Sequence, residues 1–228
     1  MEWKQWDELP EIMKNEEVKK YFQILEKKKG QLILKRLFDI TLSFLLCVIL
    51  SPVFLIIGMW IKADSKGSVF YRQERITQYG KVFKIYKFRT MVTDADKIGS
   101  LVTTKGDARV TRVGEKIRKC RIDEIPQLIN ILKGEMSFVG TRPEVKKYVN
   151  AYTEEMYATL LLPAGVTSLA SIKFKDEDEI IEYWINKGNT LDQTYIDKVL
   201  PEKMKFNLEY LYHFNIVKDM KLCVKTVI

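Results

Sequence analysis

From Leu37 to Ile61 the chain runs about 25 residues with one charged side chain, Asp39, and so long an apolar run has few places to go. About 20 such residues suffice to cross a bilayer. A helix buried wholly in soluble protein would need a larger core around it than this chain offers. The 36 residues ahead of the run, and the lack of a small-residue cleavage pattern after it, argue against an ordinary signal peptide. Two features argue against a straight span. Ser51-Pro52 falls near the middle, where proline removes a ladder hydrogen bond and clashes with the preceding turn. Basic residues also flank both ends: Lys27, Lys28, Lys29, Lys35 and Arg36 before, Lys62, Lys66, Arg72 and Arg75 after. A spanning helix should show asymmetry under the positive-inside tendency. The expectation is a re-entrant helix-break-helix over 37–61 that returns to the face it entered, with Ser51 satisfying a backbone group freed by Pro52. A tilted, proline-kinked spanning helix is the alternative. Residues 1–36 then form a polar, interfacial extension, and 62–228 a compact body on the cytoplasmic side.

A hydrophobic fraction of 46% and a charged fraction of 30% suit one globular domain, and the net charge of +8 calls for an anionic partner. Nucleic acid is not expected, because no recognised module is present and such a role leaves Leu37–Ile61 unexplained. Three cysteines without CxxC spacing and a single histidine, His213, give little support to a zinc cage, a disulfide framework or a histidine-activated nucleophile. Reduced cysteines fit a body facing the cytoplasm.

Residues 118–144 concentrate the chemistry: Asp123 and Glu124 stand among Arg118, Arg121 and Arg142, a composition suited to phosphates. Ile125, Leu128, Ile129 and Leu132 predict a helix over 125–132 stopped by Gly134, with Pro126 in its first turn. The two carboxylates would sit at its N-terminus, where the dipole and the arginines favour their ionised forms. Neighbouring helical positions point about 100° apart, so the pair should divide its labour. One can attack while the other holds a metal. On composition alone the ordinary reading is stronger: a capping Asp, an exposed Glu, weak surface ion pairs and a structural turn.

Elsewhere, Ser68–Arg72 and Val82–Arg89 read as short strands about a turn at Gln78-Tyr79-Gly80. Phe83, Ile85, Lys87 and Arg89 would share one side, presenting Lys87 and Arg89 together to a phosphate; two solvated basic residues are the plain alternative. Thr93–Ser100 reads as helix or loop, Asp107–Arg112 as a turn into a helix around Val113–Lys119, 161–174 as a turn and strand, and Lys175–Glu182 as a solvated helix start. Near the C-terminus Ile216, Met220, Cys223 and Val227 form a helical stripe beside Lys218, Lys221 and Lys225, suited either to anionic lipid or to packing on the core. Trp3, Trp6, Leu9 and Ile12 rest on the interface or on the domain. The fold class expected is mixed α/β, helix-rich, with a small sheet and interfacial helices around the re-entrant segment.

The segment RKCRIDEIPQLINILKGEMSFVGTRPE resembles the signature of the bacterial sugar transferases called monotopic phosphoglycosyl transferases, an Asp-Glu-(Leu/Ile)-Pro-Gln core followed by a Gly-Pro-Arg-Pro turn. The likeness continues through KRLFDI (35–40), Ser51-Pro52, VFYRQERI (69–76), GKVFKIYKFRTM (80–91) and DARVTRVGEKIRK (107–119). It implies an enzyme that moves a sugar-1-phosphate from a UDP-sugar to a polyprenyl (undecaprenyl) phosphate in the inner leaflet of a bacterial membrane and releases UMP. By that resemblance Asp123 forms a covalent phosphosugar intermediate and Glu124 holds Mg²⁺. Arg118 and Arg142 offset phosphate charge, with Lys87, Arg89 and Arg121 behind them. Three departures stand out: Thr141 replaces the usual proline, Ala164 intervenes in the Pro-Gly-(Ile/Val)-Thr-Gly region, and Ser168 replaces its second glycine. The rival reading is a non-catalytic, membrane-bound basic adaptor of a polysaccharide-assembly complex, needing no metal and releasing no UMP.

Overall fold

The apolar run breaks where Pro52 stands. In the computed structural model, which describes residues 3–95 and 107–227, helix α2 (Lys29–Ile49) ends at Leu50 and α3 (Ser51–Asp64) leaves it at a 60° bend. Proline at 52 has no N–H to offer the Val48 carbonyl, and the Ser51 hydroxyl donates to it instead at 2.8 Å. The bend makes an open elbow, not a chain doubled back on itself. Among the described residues no single helix is long and apolar enough to cross a membrane, and α2 with α3 is the one bent pair that has the length and composition for it.

Helix α2 starts at Lys29, well before the apolar run, and this changes the meaning of the charges ahead of it. Lys35 is only 1% exposed and donates to Asp219 Oδ2 at 2.6 Å and the Val139 carbonyl at 2.8 Å. Arg36 donates to the Ile131 and Leu132 carbonyls at 2.6 and 2.9 Å, and Asp39 Oδ1 accepts the Phe138 N–H. Two of the cations that made the flanks look symmetric are therefore internal ties between α2 and the body. On the inner side of the elbow Leu46, Cys47 and Leu50 pack on a cluster of Phe83, Ile85, Leu128, Ile131, Met136 and Ala164. Val53, Phe54, Ile57 and Ile61 pack on Phe88, Val113 and Ile117. The outer side is left bare: Leu37, Phe44, Val48, Ile49, Leu55 and Met59 are all exposed, Leu55 at 70%.

The body holds two small ribbons where a single small sheet was expected. β1 (Phe70–Ile76) pairs antiparallel with β2 (Val82–Phe88) through a tight turn at Gln78–Gly80, and β3 (Met136–Val139) lies parallel to β4 (Ala164–Thr167). Helix α4 (Arg112–Lys119) begins at Thr111, whose hydroxyl accepts the Gly114 N–H. Helix α5 (Gln127–Lys133) ends on Gly134 in the left-handed region, as expected. Asn130 of α5, fully buried, accepts the Tyr86 N–H and donates to the Lys84 carbonyl and to Glu135, riveting α5 to β2. Asn130→Leu should lower unfolding stability by about 2–3 kcal/mol, because it orphans buried backbone groups; a denaturant titration reads this directly.

The remainder is helical: α1 (Glu16–Glu26), α6 (Lys146–Val149), α7 (Leu169–Lys173), α8 (Glu177–Asn186), α9 (Leu191–Thr194), a π-helical turn at Tyr195–Val199, α10 (Leu200–Tyr212) and α11 (Ile216–Val227). The N-terminal segment rests on the body: Trp3 stacks on Phe22 at 5.2 Å, Leu9 and Met13 are buried, and Ile12 stays exposed. In α11 the expected stripe is split. Ile216 and Asp219 turn inward, with Asp219 drawn to Lys35, Cys223 is half-buried, and Met220 faces out with Val217 and Val224 beside the exposed lysines 218, 221 and 225. The side chain of Val227, and the reading of Thr93–Ser100 beyond Ala95, lie outside the described residues.

Candidate active site

Arg121 adopts a left-handed conformation (φ 53°) and starts a 3-10 turn, Ile122–Glu124, that leads through Pro126 into α5. The helix thus begins two residues later than the apolar spacing predicts, and both carboxylates sit in the turn ahead of it. Pro126, without an N–H, marks the entrance. The turn faces β2 and the loop after β3. Glu124 Oε1 accepts Lys87 Nζ at 2.9 Å and an Arg142 terminal nitrogen at 2.7 Å. Asp123, half-buried next to it, accepts no hydrogen bond from any other described residue.

Backbone packing fixes Arg142. Gly140 N–H donates to the Thr167 carbonyl and Gly165 N–H to the Thr141 carbonyl, joining the loop to β4. A Cβ on Gly140 would lie 2.5 Å from the Pro163 carbonyl oxygen, and one on Gly165 would lie 2.2 Å from the Gly140 nitrogen. The two glycines allow this close approach, so Thr141 in place of proline leaves the loop anchored. Arg118 Nε donates to Thr90 at 2.8 Å, and its charge still acts on Asp123. Two expected members do not join. Arg89 lies just past the end of β2, is 6% exposed and donates to the carbonyls of Ser65 and Lys66, closing the turn after α3. Arg121 points into solvent with no ion pair among the described residues.

The environments push the neighbouring carboxyls apart. Burial raises the Asp123 carboxyl, Glu124 adds to the rise, and the Lys87 and Arg118 charges oppose it. The expectation that the helix end and arginines would simply favour its ionised form is therefore corrected, because desolvation outweighs them. Burial also acts upward on Glu124, but the charges and hydrogen bonds of Arg142 and Lys87 overcome it and hold Glu124 well below the usual carboxylate range. Such divergence between adjacent acids is the pattern of two groups with separate duties. As for a metal, no group of three or more His, Cys, Asp or Glu among the described residues is placed to hold one. Glu124 Oε2 nevertheless accepts no hydrogen bond from a described residue. Magnesium commonly takes one or two protein carboxylates and completes its shell with substrate phosphates and water. The free oxygen of Glu124 would suit one such ligand position.

The sequence profile described as bacterial sugar transferase matches residues 30–228. The chain belongs to that family. A UDP-glucose:undecaprenyl-phosphate glucose-1-phosphate transferase of Klebsiella pneumoniae is 33% identical over 199 residues, 86% of this chain and 40% of that protein. A UDP-N-acetylgalactosamine-undecaprenyl-phosphate N-acetylgalactosaminephosphotransferase of Aeromonas hydrophila is 39% identical over 198 residues, covering 85% and 43%. The exopolysaccharide production protein ExoY of Sinorhizobium fredii is 32% identical over 210 residues, covering 86% and 84%. This sugar transferase chain thus spans about two fifths of the first two relatives and most of the third. Its buried ties, Lys35 to Asp219 and Asn130 to β2, had no local sequence signal. Nor did the grouping of Glu144 with Tyr195 and Lys203, which only the fold brings together.

Proposed function

We propose that the chain transfers a sugar-1-phosphate from a UDP-sugar to undecaprenyl phosphate, releases UMP, and so begins assembly of a polysaccharide or glycoconjugate. The observation that carries this reading is an Asp123 carboxyl that takes no hydrogen bond from any other described residue, beside a Glu124 clamped by two cations. An acid half-buried without a partner costs stability, which a reactive role explains and a docking adaptor does not.

In the reaction so read, an Asp123 oxygen attacks the sugar-linked phosphorus. A carboxylate-phosphorus bond forms, the bridge to the α-phosphate breaks, and its electron pair leaves with UMP. A phosphate oxygen of the polyprenyl acceptor then attacks the same phosphorus and returns the Asp123 carboxylate. Arg142 and Arg118 offset charge growing on the phosphoryl oxygens, where planar bidentate donors act best. Lys87 is released toward the substrate as anionic oxygens compete for it with Glu124. Glu124 would hold Mg²⁺, which when bound would offset diphosphate charge.

The membrane part of the reading rests on the bare outer side of the α2–α3 elbow and the exposed lysines of α11. In it the elbow lies in the inner leaflet of the cytoplasmic membrane, α11 rests on anionic headgroups, and the site faces the cytoplasm. The test is UMP release by nanodisc-held protein over a panel of UDP-sugars, with undecaprenyl phosphate, with and without Mg²⁺. Metal-dependent release with at least one donor is expected. A folded protein that releases UMP from no donor would return the adaptor reading.

A further inference from the structure

Beside Arg142 the fold forms a half-open cavity of about 140 Å³ that the chemistry above does not use. Its walls come from six separate elements: Arg75 of β1, Arg142 and Glu144 of the loop after β3, Tyr148 of α6, Glu177 of α8, Tyr195 of the π-helical turn and Lys203 of α10. Such turns recur at functional sites. Glu144 is 7% exposed, and one of its oxygens accepts the Tyr195 hydroxyl at 2.6 Å. Its other oxygen takes no hydrogen bond from a described residue. Burial, with Glu144 beside it, raises the Tyr195 phenol well above its ordinary value, so Tyr195 stays the donor in that bond. Lys203 donates to the Tyr195 oxygen at 3.2 Å and pairs with Glu177 at 3.0 Å.

We propose that this cavity holds the sugar ring of the donor, with the free oxygen of Glu144 accepting from sugar hydroxyls and Lys203 donating to a ring substituent. The inference deepens the functional reading above and rests on it. Two observations favour a sugar over the nucleoside. The walls offer the Glu144 and Glu177 carboxylates, the Lys203 ammonium and the Tyr195 phenol, which bond hydroxyl groups, while the Tyr148 and Tyr195 rings lie against each other at 4.4 Å, so that one face of each ring is closed to a stacking base. Arg142 lines the cavity and also bonds Glu124, so a ring seated there hangs from a phosphate within reach of Asp123. The sugar must stay at that phosphorus through both steps while UMP departs, and a half-open cavity next to Arg142 can seat it there.

The test compares Glu144→Gln and Lys203→Met with the native protein in nanodiscs. Calorimetry measures binding of the preferred UDP-sugar and of UDP alone, and UMP release gives kcat/KM for the glucose, galactose, N-acetylglucosamine and N-acetylgalactosamine donors. The expected result is a loss of about tenfold or more in UDP-sugar affinity and kcat/KM for at least one variant, as follows from removing a hydrogen bond to a charged group. UDP affinity should hold, and the ranking of donors should change. An equal loss of UDP affinity would place the nucleoside in the cavity and overturn the proposal. So would unchanged donor ranking in both variants. If Glu144→Gln melts early, Lys203→Met, on the partly open wall, carries the test. Native protein that binds no UDP and releases no UMP would instead refute the functional reading itself.

Discussion

Asp123→Asn should lose turnover by at least about a thousandfold, as removal of a covalent nucleophile generally does. After UDP-sugar is added without acceptor, mass spectrometry should find a phosphosugar adduct on the native protein and none on the variant. Asparagine keeps the shape of the turn, and Glu124, Lys87 and Arg142 keep their bonds, so a folding defect would not explain the loss. The stability of the variant carries a second expectation. Asp123 has a carboxyl raised above its ordinary 3.8 by burial. A carboxyl whose folded pKa is raised contributes stability below the unfolded value and loses it as pH rises through the folded value. At neutral pH the native protein therefore bears the strain of an ionised, under-solvated Asp123, and the asparagine variant should melt at the same temperature or higher, the difference vanishing in acid. Glu124 has the opposite sign. Its depressed carboxyl contributes stability above its unfolded value and loses it as pH falls, so Glu124→Gln should melt early at pH 7. Activity of the native enzyme should fall on the acid side as Asp123 takes up its proton, at a pH above that of an ordinary aspartate. Full turnover in the Asp123→Asn variant would sink the covalent mechanism.

The sequence made the local features legible and left the long-range ones hidden. Gly134 as a stop, Ser51-Pro52 as a break, the turn over Asp107–Arg112 that leads into α4 and the turn at Gln78–Gly80 all follow from backbone chemistry within a few residues. The meeting of Lys87, Glu124 and Arg142 was legible only through motif likeness, since no spacing rule joins positions on a strand, a turn and a loop. Arg89 shows where such reasoning fails: period-two alternation put it beside Lys87, but β2 ends at Phe88 and the next residue serves the turn after α3. Asp123 shows a second limit. Helix dipole and neighbouring arginines are visible in sequence, whereas the desolvation that outweighs them depends on what covers the turn.

The Lys35–Asp219 pair gives the largest expected stability effect. Both side chains are 2% exposed, their contact is 2.6 Å, and Tyr210 donates to the same Asp219 oxygen at 3.1 Å. Removing one member of a buried pair leaves a desolvated charge behind and typically costs about 3–5 kcal/mol, a large share of the roughly 5–15 kcal/mol that holds a domain folded. Asp219→Ala should therefore unfold far earlier in denaturant than the native protein. Lys35→Met with Asp219→Leu, which removes both charges and refills the space, should recover most of the loss. If the double variant is as weak as the single one, the charge pair is not what locks α11 to α2. Lys35 also donates to the carbonyl of Val139, the last residue of β3, directly before the Gly140–Arg142 loop. The α2–α3 elbow and the loop carrying Arg142 thus share one buried lysine. Even a double variant of restored stability should show lower kcat, because Val139 loses the donor that holds the base of the loop carrying Arg142.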